Sequence, residues 1–138
     1  MPKITSVLLV DDDPTNNFLN ERLLRRLDVA EHIAVAANGQ EALAVLNQAG
    51  QPPQPHYPNL ILLDIQMPVM NGIEFLQAFQ QLSPARQRAS TVVVLTTSMD
   101  ARDLNRLDDL PAAGFLNKPL TAEKVAAALL LHFEKQTA

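Results

Sequence analysis

The sequence predicts an α/β domain built on a parallel sheet, and three observations carry that prediction. Short, unbroken apolar runs recur along the chain: residues 7–10 (VLLV), 60–63 (LILL) and 92–95 (VVVL). Runs of this length bounded by polar residues suit strands buried on both faces, as parallel strands are. Strand and helix signals alternate five times, which is the pattern of strand–helix–strand units. Finally, the apolar runs stop abruptly at polar groups: Asp11, Asp12 and Asp13, then Asp64, then Thr96, and after Phe115, Leu116 and Asn117 the pair Lys118 and Pro119. In open parallel sheets, chemistry collects outside the carboxyl ends of the strands.

The elements follow in order. After the first strand, Pro14 suits the first turn of a helix, where its missing N–H costs nothing. That helix carries Phe18, Leu19, Leu23, Leu24 and Leu27 as an apolar stripe. Ile33 to Ala36 read as a second short strand, broken by Asn38 and Gly39; Ala42, Leu43, Val45 and Leu46 mark the next helix. Residues 50–58 hold four of the ten prolines and read as a surface loop. The third strand leads to Asp64 and a loop with Met67 and Pro68, after which Gly72 precedes a helix with Ile73, Phe75, Leu76 and Phe79. Residues 83–90 read as a polar connection to the fourth strand. Asp100 is a plausible N-cap for a helix bearing Leu104 and Leu107. Residues 114–117 read as a fifth strand, and Thr121 caps a last helix whose buried face takes Val125, Leu129, Leu130 and Phe133.

Composition narrows the function. A chain of 138 residues can bury a core without covalent staples, and the absence of cysteine excludes thiol catalysis, thiolate metal sites and disulfides. The longest apolar stretch, residues 125–131, is too short to span a bilayer, and the N-terminus lacks the apolar segment of a signal peptide. A soluble, cytoplasmic protein without a membrane partner is the expectation. The net charge of -4 and the lack of a basic run argue against direct nucleic-acid binding. Arg22, Arg25 and Arg26 read as a solvated helix face.

The strand-end residues suit a divalent cation and a phosphoryl group. Two carboxylates about 5 Å apart, at an effective dielectric of about 20, repel by roughly 3 kcal/mol. A hard cation with oxygen ligands relieves this, and Mg²⁺ takes one or two carboxylates while accepting a phosphate oxygen. Asp11, Asp12 and Asp64 could form that set; equally, Asp11 and Asp12 could serve with Asp13 to cap the following helix, the reading preferred for Asp13. A carboxylate such as Asp64 can act as a nucleophile toward phosphorus. Lys118 would balance developing charge and Thr96 would offer a hydroxyl, though each also has a plainer use, as a surface ion-pair partner and a strand-end hydroxyl.

The order Asp11-Asp12, Asp64, Thr96, Lys118-Pro119, with the stretch from Leu62 through Met67-Pro68 to Gly72, resembles the receiver domain of two-component response regulators, of the stand-alone chemotaxis-regulator type. The resemblance spans about residues 4–133 within a single domain of residues 1–138. It implies a doubly wound, flavodoxin-like sheet of five strands in the order 2-1-3-4-5, with two helices on one face and three on the other. It implies that Asp64 is the phosphoacceptor and that Asp11 and Asp12, with Asp64 and the backbone carbonyl of Gln66, hold Mg²⁺. Thr96 and Lys118 would contact the phosphoryl group, the Lys118–Pro119 bond would be cis, and Phe115 would occupy an aromatic switch position where tyrosine is common. The partners implied are a histidine kinase or histidine phosphotransfer protein, a downstream protein target and a phosphorylation-dependent second copy of the chain. The protein would be a signalling switch rather than an enzyme.

Two alternatives remain at this point. Asp11 to Thr15 also fit the Asp-x-Asp-x-Thr signature of haloacid-dehalogenase-like phosphatases, in which Asp11 would be the nucleophile; the acidic pair that family needs after its lysine is not evident. A degenerate receiver would bind partners without being phosphorylated. These 138 residues leave no room for an output domain: a full-length chain would signal by protein contact or onward phosphotransfer, whereas a piece of a longer protein would have its output domain elsewhere.

Overall fold

The computed structural model describes residues 3–52, 54–97 and 101–133, with the side chains of 101–104 left aside. The elements are β1 (Ile4–Val10), α1 (Pro14–Leu27), β2 (Ala30–Ala36), α2 (Gly39–Gln48), β3 (Leu60–Asp64), α3 (Gly72–Phe79), α4 (Pro84–Ala89), β4 (Thr91–Thr96), α5 (Ala101–Asp108), β5 (Gly114–Asn117) and α6 (Ala122–His132). The strands form one parallel sheet in the order β2-β1-β3-β4-β5, as the resemblance implied.

The period-2 alternation of the strands divides their side chains between two cores. Leu8, Val10, Ile61, Leu63, Val92 and Val94 face α2, α3 and α5, where they meet Leu46, Phe75, Leu76, Phe79 and Leu107. Val7, Leu9, Leu60, Leu62, Val93 and Leu95 face α1 and α6, where they meet Leu24, Val125 and Leu129. Continuous apolar runs are therefore required in the three central strands, since neither face sees water. The edge strands are different: β5 is half-exposed throughout, and its four residues pair only with β4.

Several sequence expectations need correction. β1 and β2 both begin three residues earlier than their apolar runs: in β1 the polar Thr5 and Ser6 interrupt the run although Ile4 and Ser6 are buried, and in β2 the entry residues pair through backbone at the sheet edge without being fully buried. Residues 83–90 are not simply a connection, since Pro84–Ala89 form a sixth helix. Ser83 caps it by accepting from the Arg86 N–H at 3.3 Å, and Ala89 packs on the core. Its single turn and a half buries too little to show an apolar period.

On α1, Phe18 and Leu19 are exposed, at 59% and 55%. At 3.6 residues per turn they point about 120° and 140° away from the buried Leu24. Asn17 shares Leu24's face instead and is buried. The same geometry turns Leu130 out of α6 and puts Ala128 in its place beside Val125 and Leu129. Asp100, the expected cap of α5, lies outside the described residues, as does the side chain of Leu104.

Gly72 is the tightest point of the scaffold. Its N–H donates to the Ile65 carbonyl at 2.8 Å, and a Cβ here would lie 2.5 Å from the Asp64 carbonyl oxygen and 2.8 Å from Ile65 Cα. Both obstacles are backbone, so neither can swing aside. Gly72→Ala is expected to destabilise the domain by about 3 kcal/mol, as overpacking against a rigid neighbour does. Urea unfolding with an unchanged m-value measures it, and a cost below about 1 kcal/mol would mean that this loop yields.

Candidate functional site at the carboxyl edge of the sheet

Register brings the strand-end residues together. Val10 pairs with Leu63, so Asp11 and Asp64 leave the sheet side by side. Asp64 pairs with Leu95 and Thr96 with Asn117, which sets Thr96 and Lys118 one step beyond. Carboxylate oxygens of Asp11, Asp12 and Asp64 lie within 4.8 Å of one another. The Lys118 ammonium reaches into this cluster, 3.0 Å from Asp11 Oδ2 and 3.4 Å from Asp64 Oδ1. Its backbone N–H donates to the Thr96 carbonyl at 2.8 Å, and the Lys118–Pro119 peptide is cis.

Asp11 is 4% exposed and held from several sides. Its Oδ1 accepts from the Asp13 N–H at 2.9 Å, and Asn16 Nδ2 approaches Oδ2 at 3.4 Å. Asp13 caps α1 through the Thr15 N–H at 2.9 Å, so of the three aspartates it alone caps the helix. Asp12 is exposed and Asp64 half-buried. Thr96 is 9% exposed at the end of β4. Gln66 lies exposed in the loop after β3, and the Phe115 ring points outward, 47% exposed.

Sequence reasoning missed three supports. Asn17 is buried; its Nδ2 donates to the Asp11 carbonyl at 2.8 Å and lies 3.5 Å from that of Ala36, joining the ends of β1 and β2. A polar residue on the buried face of α1 was the available signal. Gly39 donates its N–H to the Met70 carbonyl at 2.8 Å, and a Cβ would meet Met70 Cγ at 2.7 Å, so α2 props the loop after Asp64. In that loop Val69 has φ 69°, closed by Met70 N–H donating to the Pro68 carbonyl at 2.8 Å. This three-residue turn holds a β-branched residue in a conformation it rarely adopts.

The electrostatics favour a cation. Among the described residues, three carboxylates against one ammonium leave the cluster two charges negative when all are ionised. Burial pushes the Asp64 carboxyl above its ordinary value; Lys118 pulls it down and Asp11 pushes it up, with the net raised. Burial alone would lower the Lys118 ammonium, but its bond to Asp11 and the charges of Asp64 and Asp11 win and raise it. Oxygen-only donors, excess negative charge and close spacing fit a hard divalent cation and offer nothing to a soft one.

A doubly wound sheet with an acidic cluster and an opposed lysine at its carboxyl edge suits a domain that handles a phosphoryl group beside a divalent cation. The chain belongs to the response regulator receiver domain family, whose profile matches residues 7–130. It is 34% identical over 123 residues to the probable chemotaxis protein CheY of Rhizobium etli, covering 89% of this chain and 88% of that one. It is 32% identical over 131 residues to the transcriptional regulatory protein MalR of Bacillus subtilis, covering 95% of this chain but only 51% of MalR. The chain thus spans about half the length of several curated relatives it matches. A two-component response regulator from Cytophaga hutchinsonii superposes with a TM-score of 0.78 at 32% identity, covering 92% of this chain and 94% of that one. The chain is accordingly a receiver domain of the two-component type, and the phosphatase reading is set aside. Among the described residues no helix is long and apolar enough to cross a membrane.

The raised Asp64 carboxyl has a consequence for stability. A group that binds its proton more tightly when folded stabilises the fold at low pH and loses that contribution as pH rises through its folded pKa. In metal-free buffer at pH 7, Asp64→Asn is therefore expected to melt higher than the wild type, with the difference shrinking toward pH 4. Thermal melts in EDTA across that range test this. A lower melting temperature for the variant at pH 7 would show that the ion pair to Lys118 outweighs burial and repulsion.

Proposed function

We propose that Asp64 is the phosphoacceptor, taking a phosphoryl group from the phosphohistidine of a histidine kinase or histidine phosphotransfer protein. The observation that supports this most is the Lys118 ammonium lying between Asp11 and Asp64, at 3.0 and 3.4 Å, beside three carboxylates within 4.8 Å. A carboxylate oxygen of Asp64 attacks phosphorus. The new O–P bond forms as the P–N bond to the donor imidazole breaks, and the imidazole keeps the electron pair and regains a proton. A Mg²⁺ ion held by Asp11, Asp12, Asp64 and the Gln66 backbone carbonyl would supply the charge neutralisation that lets an anionic donor approach. Lys118 and Thr96 donate to the phosphoryl oxygens, stabilising charge where it develops. Burial that raises the Asp64 carboxyl also makes its anion the better nucleophile.

The whole of residues 1–138 then acts as one receiver domain, a switch rather than a turnover enzyme, working in the cytoplasm without contacting nucleic acid directly. The exposed Phe18 and Leu19 of α1 lie beside the site and suit docking of the histidine-bearing partner. A degenerate, phosphorylation-independent receiver is the competing reading, and the complete acceptor set counts against it. Acetyl phosphate with Mg²⁺ is expected to add one phosphoryl group by intact mass, and EDTA or Asp64→Asn to abolish the adduct. An adduct that survives Asp64→Asn would move the acceptor elsewhere.

Output would run through β5. Drawing Thr96 toward the phosphoryl group opens space behind it, and the outward ring of Phe115 turns in to fill it. Burying about 40 Å² at ~25 cal/mol per Å² contributes about 1 kcal/mol, or roughly fivefold in a two-state equilibrium. A downstream protein or a second copy of the chain would then dock on α5, β5 and α6, about residues 100–133. Beryllofluoride, a phosphoryl mimic, is expected to shift amide resonances across 100–133 as well as near Asp11, Asp64 and Lys118. Shifts confined to those three loops would sink this route.

A further inference from the structure

We infer that Lys124, a residue that does not reach the acidic cluster, is the positioning residue for Lys118. It rests on the reading that Lys118 contacts the phosphoryl group. β5 is an edge strand, so carbonyls on its outer side have no neighbouring strand to pair with. Beyond it the chain turns at Pro119, which has no N–H to offer. Lys124 supplies what the backbone lacks. From the first turn of α6 its Nζ donates to the Asn117 carbonyl at 2.7 Å and to the Pro119 carbonyl at 3.0 Å. These two carbonyls flank Lys118. On the other side of the strand end, the Lys118 N–H is held by the Thr96 carbonyl at 2.8 Å.

The segment bearing Lys118 is thus gripped from both sides. One grip is a sheet-edge hydrogen bond, and the other is a pair of charge-assisted bonds, which are shorter and stronger than neutral ones. Lys124 is itself fixed at its backbone, where Thr121 Oγ1 accepts its N–H at 3.2 Å as the cap of α6. Leu120, at 9% exposure, anchors the chain between the two lysines. A long, flexible ammonium such as Lys118 serves a transferring phosphoryl group only if its root is fixed. Lys124 fixes that root, and a lysine whose reach ends on main-chain carbonyls leaves no sequence signal of its role.

Lys124→Met keeps the stem and removes the donors. With acetyl phosphate and Mg²⁺ it is expected to slow phosphorylation about fivefold, with the melting temperature within about 2 °C of wild type. Lys124→Arg, which can still donate to both carbonyls, is expected to recover most of the rate. In metal-free protein, Lys124→Met is expected to shift the amides of Lys118, Asp11 and Asp64. The deciding comparison is made in a Lys118→Ala background, where adding Lys124→Met should slow phosphorylation no further. An equal fivefold loss there would show that Lys124 acts through its own charge, and an unchanged rate in the single variant would show that the grip is idle; either overturns the inference. If Lys118→Ala by itself phosphorylates at the wild-type rate, the reading of Lys118 fails instead.

Discussion

Three carboxylates held within 4.8 Å of one another, with the Lys118 ammonium between two of them, are the constraint to which the rest of this molecule answers. Such a cluster opposes folding on its own, so the scaffold must hold it by force of packing. It does so with the most deeply buried part of the chain. The strands leading to Asp11 and Asp64 are buried on both faces, and their register is pinned by backbone pairing and by the two cores at once. A one-residue slip would turn every side chain to the opposite face, so the site inherits the precision of the core.

The loops show the same division of labour. Gly72 permits a backbone approach that no Cβ could tolerate and Gly39 a close approach to Met70, closing the loop after Asp64 against α3 and α2. The Asn71 and Glu74 side chains then bond reciprocally to each other's backbone N–H groups and fix where α3 begins. The far end of the sheet carries the additions: the proline-rich loop and α4. There Ser90 donates to the Pro58 carbonyl at 2.6 Å, and the Arg86 guanidinium lies over the buried Tyr57 ring and approaches Asn47. These insertions enter β3 and β4 at their amino ends, away from the carboxylates, so they leave the site's geometry alone.

β5 is the edge strand that the site depends on. It is short, half-exposed and paired on one side only, yet it carries Phe115 and delivers Lys118. The side-chain bonds around Lys118 and Lys124 make up for backbone pairing that an edge strand cannot have.

What the sequence determined by itself was the class of fold and the list of chemical groups. Doubly buried strands must be written as unbroken apolar runs, so Leu60 to Leu63 announced a central parallel strand, and Asp64 directly after it stood out as costly without a purpose. The family resemblance then supplied the strand order and the cis bond at Pro119, both of which the structure shows. Tertiary structure decided the rest. Whether Phe18 or Asn17 faces the core depends on the rotational setting of α1, and an apolar residue list carries no phase. The helix at Pro84–Ala89 rests on one cap and one small contact, too little to leave a period. Lys124 and Asn17 act on main-chain carbonyls, and a carbonyl is the same at every residue; only folding could say which ones they would meet.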